Sequence, residues 1–420
     1  MSINRRKFLK ASGLTITTFG LVPGMLAYSK PSTTQTLQKM TEGVIPLTRE
    51  DYEGRLEKAR TLMADHRMDG LLLTGGANLS YFLNMSWWRS ERLFGAIINL
   101  KGDPIWICPA FELERAKEVI QFGTDIRTWE EHESPYELVK GIMKDLGIPG
   151  AKLGIGPTLR NFVVEGIRKT IQGSNIQVVD GSVITTGCRG IKTEKELAYM
   201  DLANKITKMA YREAFKKLQE GMSRRELRNH IQQAHSEMGV SGGGSPQFGY
   251  ISAFPHGSRE VYKLHEGDIV LVDGGTSVEG YRSDVTRTIV FGKPSDKQKR
   301  VFDIVLKAQT EAMKAVRPGK TCESIDAVAR KVIEDAGFGP GYEYFTHRLG
   351  HGIGMEGHEY PYLVKGNKLK MKPGMTFSNE PGIYIYGEFG VRIEDCFVVT
   401  EDGGKILGGM ITGAIDLPFG

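Results

Sequence analysis

The chain has 420 residues, 40% hydrophobic and 25% charged, and a formal net charge of +5. That length accommodates two or three domains, each with ample core, and the composition is that of a soluble globular protein. Arg5, Arg6, Lys7 and Lys10 supply four of the five excess positive charges, so the rest of the chain is nearly neutral and offers no electrostatic case for a nucleic-acid partner.

Residues 1–27 begin Asn4-Arg5-Arg6-Lys7-Phe8-Leu9-Lys10 and continue as a mildly apolar run to Ala27. Paired arginines before such a run resemble a twin-arginine export signal, which predicts a periplasmic protein. Pro23 and Gly24 leave the run too short and interrupted for a stable membrane span. Residues 28–47, rich in Ser, Thr, Gln and Lys, read as a linker. Cys108, Cys188, Cys322 and Cys396 are scattered without CxxC spacing and read as free, buried thiols.

From Thr48 helical and strand patterns alternate. A helix over 49–66 leads into the apolar strand Gly70–Thr74. Further strands are predicted at 94–100, 104–108, 152–156 and 176–179, with helices at 112–121 and 136–146. This is an α/β domain, 48–187. The remainder, 188–420, contains a weak duplication. Thr193-x-x-Glu196 and Ser223-x-x-Glu226 are capping boxes that open two helices, and a strand pair follows near 268–274 and 283–291. Helices at 295–316 and 321–336 and a second strand pair near 376–386 and 391–399 repeat the scheme.

Each strand pair carries two acids. Asp273 ends the apolar strand Ile269-Val270-Leu271-Val272, where a carboxylate is costly to bury unless paired or bound to a cation. Asp284 follows eleven residues later, beyond Gly274-Gly275 and Gly280, so a hairpin can bring the two together. A divalent cation would remove their repulsion; ion pairs of Asp284 with Arg282 or Arg287 are the plainer alternative. Glu380 lies in Ser378-Asn379-Glu380-Pro381-Gly382 and Glu394 in Val391-Arg392-Ile393-Glu394-Asp395, where pairing with Arg392 is the alternative. His347, His351 and His358 fall in one Gly-rich segment. Four carboxylates and one imidazole form a donor set suited to Mn, Fe, Co or Zn.

These segments resemble the pita-bread metallopeptidases, and among them the aminopeptidase P and prolidase branch. The resemblance rests on Val272-Asp273-Gly274-Gly275, Ser283-Asp284-Val285-Thr286-Arg287-Thr288, Gly350-His351-Gly352-Ile353-Gly354, Asn379-Glu380-Pro381-Gly382 and Val391-Arg392-Ile393-Glu394-Asp395, all in the family's order. It covers about 188–405 strongly, and the α/β domain before it is of the size that branch carries. It implies an α/β N-terminal domain followed by an α+β, pseudo-two-fold catalytic domain. It makes Asp273, Asp284, His351, Glu380 and Glu394 ligands of two divalent metal ions, with Mn²⁺ expected and Co²⁺, Zn²⁺ or Fe²⁺ as alternatives. Asp284 and Glu394 would bridge the ions. His256, in Phe254-Pro255-His256-Gly257, and His358 would contact substrate and the tetrahedral intermediate. Glu380 would also shuttle a proton, and His347 and Arg392 would line the substrate pocket, with Tyr384 a weaker candidate.

The chemistry implied is hydrolysis of Xaa-Pro bonds at peptide N-termini. Two metals sharing a water would hold it as hydroxide for attack on the carbonyl. A histidine N–H would stabilise the developing oxyanion, and a carboxyl group would protonate the leaving imino nitrogen. The expected partners are a small peptide substrate and a second copy of the chain, in a homodimer. Trp87 and Trp88 belong either to a domain core or to a surface reaching the partner's site. A metal-dependent lyase or hydrolase of a small non-peptide compound, and an inactive binding module, are the competing readings.

Overall fold

The computed structural model describes residues 37–409 and 413–416. The leader and the first part of the expected linker lie outside them. The rest of that linker is anchored: Leu37, Met40 and Val44 pack against the catalytic core, and the Met40 N–H donates to the Met238 carbonyl at 3.0 Å.

The N-terminal region runs α1 (Arg49–Asp65), β1 (Gly70–Thr74), α2 (Ala77–Leu83), β2 (Gly95–Asn99), β3 (Ile105–Pro109), α3 (Leu113–Val119), β4 (Ile126–Trp129), α4 (Pro135–Asp145), β5 (Lys152–Ile155), α5 (Asn161–Thr170), β6 (Gln177–Asp180) and α6 (Ser182–Arg189). Its six strands form one sheet in the order β4-β3-β2-β1-β5-β6. β1 is central and buried on both faces, which is why it reads as an unbroken apolar run. Leu71 and Leu73 join one cluster with Leu56, Met63 and Ile184 of α1 and α6. Leu72 joins the cluster on the other face with Val139, Ile142 and Ile167 of α4 and α5. All four cysteines are buried and outside any disulfide.

The catalytic region continues with α7 (Glu194–Phe215), α8 (Arg224–Glu237), β7 (Ser245–Phe248), β8 (Ile269–Gly274), β9 (Ser277–Val278), β10 (Tyr281–Arg282), β11 (Val285–Val290), α9 (Asp296–Ala315), α10 (Cys322–Asp335), β12 (Gly350–Gly352), β13 (Glu359–Leu363), β14 (Thr376–Asn379), β15 (Gly382–Ile385), β16 (Phe389–Arg392), β17 (Asp395–Val399) and β18 (Gly404–Ile406). The capping boxes at Thr193, Ser223 and Ser295 open α7, α8 and α9. Each half thus brings two helices and a hairpin, and the fold is an α/β N-terminal domain followed by an α+β, pseudo-two-fold catalytic domain, as expected.

The second strand pair differs from its sequence reading in one respect. It is one hairpin broken in the middle, β14 then β15 on one side and β16 then β17 on the other. The two ladders keep the same register, Asn379 opposite Asp395 and Gly382 opposite Arg392, so Glu380 and Glu394 face each other across the gap. The break has a local cause. Pro381 has no N–H to donate, the Glu380 N–H turns to the Leu349 carbonyl at 2.9 Å, and the Glu394 N–H turns to the Thr286 carbonyl at 3.1 Å. This last contact, a bridge between Thr286 and Glu394, joins the two halves.

The regions meet through a buried cluster in which Arg55 of α1 pairs with Glu196 of α7 at 2.7 Å and the Tyr281 hydroxyl donates to the same carboxylate oxygen at 2.6 Å. Among the described residues no helix is long and apolar enough to cross a membrane.

Candidate metal centre and substrate cleft

Asp273 sits near the end of β8, directly opposite Thr286 in the ladder with β11. Asp284 precedes β11 by one residue and lies diagonal to Asp273 on the same face, within side-chain reach. Close backbone approach is needed here: a Cβ on Gly275 would fall inside van der Waals contact of the Ser283 carbonyl. The second half repeats the device, since a Cβ on Gly350 would strike the Ser378 carbonyl. That approach sets His351 against β14, where its N–H donates to Ser378 Oγ at 3.0 Å and Ser378 Oγ donates to Glu380 Oε1 at 3.1 Å.

His351 is buried, and its Nδ1 lies 3.0 Å from the Gly352 carbonyl. A carbonyl can only accept, so Nδ1 carries a proton. Nε2 is directed at Glu380 Oε1 at 3.2 Å and Asp284 Oδ2 at 3.8 Å, where it donates to Glu380 when protonated and offers its lone pair to a cation when neutral. A ring nitrogen and carboxylates converging in this way are the arrangement that a cation, whether a proton or a metal ion, relieves. Three donor groups with ligand atoms within 4.8 Å of one another overlap here: Asp284, His351 and His358; His351, Glu380 and Glu394; Asp273, Asp284 and Glu394. Burial, then the neighbouring carboxylates, push Asp284 and Glu394 well above the usual carboxylate range. Although burial opposes it, the hydrogen bond with His351 holds Glu380 below that range, and the same contact raises His351. The donor set and its crowding fit divalent metal.

The two ion-pair alternatives take other partners. Arg282 Nε donates to the Met355 carbonyl, and Arg287 pairs with Asp395 at 2.7 Å while also donating to the Glu394 carbonyl at 2.7 Å. Lys208 adds a second cation on Asp395 at 2.7 Å. Arg392 bonds Asp273 at 2.9 Å rather than Glu394. Its Nε donates to Thr286 Oγ1 at 3.0 Å, and that hydroxyl donates to Glu394 Oε2 at 2.7 Å. Arg392 Nη1 donates to the Tyr384 hydroxyl at 2.9 Å, which in turn reaches His347 Nε2 at 2.8 Å. Burial pushes the Tyr384 hydroxyl up to about 12 and holds His347 below its ordinary value. Tyr384 therefore stays protonated and donates to a neutral His347, whose Nδ1–H points to the Arg348 carbonyl at 2.8 Å.

Nine of the ten site residues singled out in the sequence, His256, Asp273, Asp284, His347, His351, His358, Glu380, Arg392 and Glu394, line one cleft of about 390 Å³, and the tenth, Tyr384, does not. His256 and His358 stand exposed at its mouth. His358 stacks on His351 with ring centres 3.8 Å apart. Its Nδ1 lies 3.3 Å from Arg348 Nη2, a group that only donates, so the proton of the neutral ring is on Nε2. Sequence reasoning missed Tyr342, Thr346 and Arg348, which also line the cleft. Only the adjacency of Arg348 to His347 hinted at any of them. Tyr384 supports the cleft from behind. Trp87 stacks on Phe94 in the N-terminal core, centres 3.9 Å apart, while Trp88 is 56% exposed.

A three-layer α/β domain ahead of a pseudo-two-fold domain with a buried carboxylate and histidine cluster defines a metallohydrolase architecture. The chain belongs to metallopeptidase family M24, whose model matches residues 198–401, and residues 55–191 match the creatinase/prolidase N-terminal domain. It is 35% identical over 367 residues to an Xaa-Pro dipeptidase of Lactobacillus delbrueckii subsp. lactis, covering 83% of this chain and 95% of that one. An Xaa-Pro dipeptidase of Pyrococcus furiosus is 34% identical over 360 residues, covering 84% and 97%. The crystal structure of a recombinant prolidase from Thermococcus sibiricus superposes with a TM-score of 0.76 at 33% identity, covering 85% and 96%. The protein is accordingly a metallopeptidase.

One expectation is corrected by the same comparison. Export to the periplasm rested on residues 1–27 alone, which lie outside the described residues. The relatives match along nearly their whole length, and they lend that location no support. The periplasmic assignment does not stand.

Proposed function

We propose that this protein hydrolyses Xaa-Pro bonds at peptide N-termini with two divalent metal ions, Mn²⁺ by preference, held by Asp273, Asp284, His351, Glu380 and Glu394. The observation that carries the reading is the overlap of two donor groups, His351, Glu380 and Glu394 with Asp273, Asp284 and Glu394, at the shared Glu394. Glu394, common to both groups, and Asp284, crowded by Asp273 and His351, are the carboxylates that would be shared by the two ions. When bound, the metals supply Lewis acidity and a water of lowered pKa.

The remaining work falls to the chain. Glu380 Oε1 is engaged by Ser378 and His351, which leaves Oε2, 4.0 Å from His347 Nδ1, to hold the proton destined for the leaving nitrogen. His358 Nε2–H and His256 at the cleft mouth donate to the carbonyl oxygen as charge develops there. Arg392, fixed by Asp273, Tyr384 and Thr286, and His347 shape the pocket for the substrate. A prolyl amide has no N–H. An ordinary peptide bond in the same site would leave its N–H unpaired, which costs affinity. The names of the relatives favour peptides over a small non-peptide substrate.

The test is purified protein, chelated and then reloaded with Mn²⁺, on Xaa-Pro dipeptides and longer Xaa-Pro peptides. Metal-dependent release from either set is expected, and its absence from both contradicts the proposal. The length series also separates dipeptidase from aminopeptidase. A homodimer belongs to the same reading and is checked by light scattering on the eluted peak.

A further inference from the structure

Between α10 and β12 the chain runs from 336 to 349 without helix or strand, yet this stretch supplies Tyr342, Thr346, His347 and Arg348 to the cleft wall. A wall of irregular backbone needs something to hold it. Asp326 and Arg330 lie one turn apart on α10, both buried, and do not themselves line the cleft. Their pairing is bidentate, Nε to Oδ2 at 3.1 Å and Nη2 to Oδ1 at 3.0 Å. Arg330 Nη1 also donates to the carbonyls of Gly341 at 3.0 Å and Phe345 at 2.8 Å, and Nη2 to that of His347 at 2.9 Å. All five guanidinium N–H groups are thereby used. Asp326 Oδ1 accepts the Leu349 N–H at 3.0 Å. The rings of Tyr342 and Phe345 lie 4.2 and 4.3 Å from the guanidinium carbon.

An ordinary pair of this spacing on a helix spends its donors within the helix. This one spends three of five on the cleft wall and ties it at residues 341, 345, 347 and 349. We infer that Asp326 and Arg330 are positioning residues that clamp segment 341–349, and so set where His347 and Arg348 meet the substrate. The planar fork is essential, because a lysine ammonium cannot hold Asp326 and three carbonyls at once. The kinetic part of this inference rests on the peptidase reading above.

The test compares Mn²⁺-loaded wild type with Arg330→Lys, Arg330→Gln and Asp326→Asn, by kinetics on an Xaa-Pro dipeptide, metal analysis and hydrogen exchange. In both Arg330 variants, exchange across 341–349 speeds up at least roughly tenfold while that of α1 is unchanged. KM rises roughly 10- to 100-fold, the scale of a displaced contact, and metal content stays at the wild-type value. Asp326→Asn keeps one acceptor and gives a smaller change in the same direction. Wild-type KM and protection in Arg330→Lys would overturn the clamp. So would exchange that accelerates equally throughout the chain, or lost local protection with KM unmoved. Should wild type cleave no Xaa-Pro peptide, the peptidase reading fails and the exchange contrast alone decides the clamp.

Discussion

The two hairpins of the catalytic domain do the same job with different means. In the first, β8 and β11 pair without interruption, and Asp273 and Asp284 lie diagonally on one face. In the second, Glu380 and Glu394 face each other directly, and the ladder is broken at that point. Like charges directly opposite are the costlier arrangement. The break frees the Glu394 N–H to reach across to Thr286, so the interruption that separates the second pair of acids is also the seam that joins the halves. Behind it, Lys208 and Arg287 converge on Asp395, and Arg287 holds the Glu394 carbonyl. The first hairpin carries Asp273 on an intact ladder and Asp284 one residue beyond its end, whereas the second, broken between its acids, turns to partners outside its own ladder.

The largest effect should come from the carboxylate both donor groups share. Glu394→Gln is expected to lower kcat/KM roughly 1,000-fold, as for loss of a main electrostatic element, and to reduce bound Mn²⁺ by at least half, read by metal analysis. Asp284→Ala should match it, and normal activity in either would break the symmetry of roles. Next is the seam. Thr286→Val removes the hydroxyl between Arg392 and Glu394, and should cost roughly 10- to 100-fold in metal affinity or activity, the usual range for a group that orients a ligand. Gly275→Ala and Gly350→Ala test whether the two close approaches are equivalent. Each should destabilise by about 1–3 kcal/mol, and a large effect in only one half would end the parallel.

The smallest effect concerns acid. Although burial opposes it, Arg287 and Lys208 depress the Asp395 carboxyl. A depressed folded-state pKa means that stability is fully present above the unfolded value, about 4. It is lost as pH falls toward the folded one, where the unfolded chain binds the extra proton. Chelated protein should therefore lose stability on acidification below about pH 5, and Lys208→Met should reduce that loss. Denaturant unfolding across this range reads both.

Much of this was legible in the sequence because it is locally encoded. The capping boxes at Thr193 and Ser223 mark helices that form where expected, and an acid ending Ile269-Val270-Leu271-Val272 marks Asp273. The elements missed lack such marks. Helices α2, α5 and α6 follow Gly76, Arg160 and Gly181 with no side-chain cap, and β4 is mostly half-buried without clean alternation. Tyr342, Thr346 and Arg348 were invisible for a different reason. Their place in the wall depends on a buried pair on α10, and no spacing along the chain encodes that. The break at Glu380 was signalled by Pro381, but its partner break at Glu394 depends on Thr286, more than a hundred residues away.

The central claim is that acids from both halves make one two-metal hydrolytic site. It is tested most directly by titrating chelated protein with Mn²⁺ while measuring bound metal and hydrolysis of an Xaa-Pro dipeptide together. Saturation at two ions per chain, with activity appearing as metal binds, is the predicted result. Binding of less than one ion per two chains, or hydrolysis that persists in the chelated protein, would contradict it.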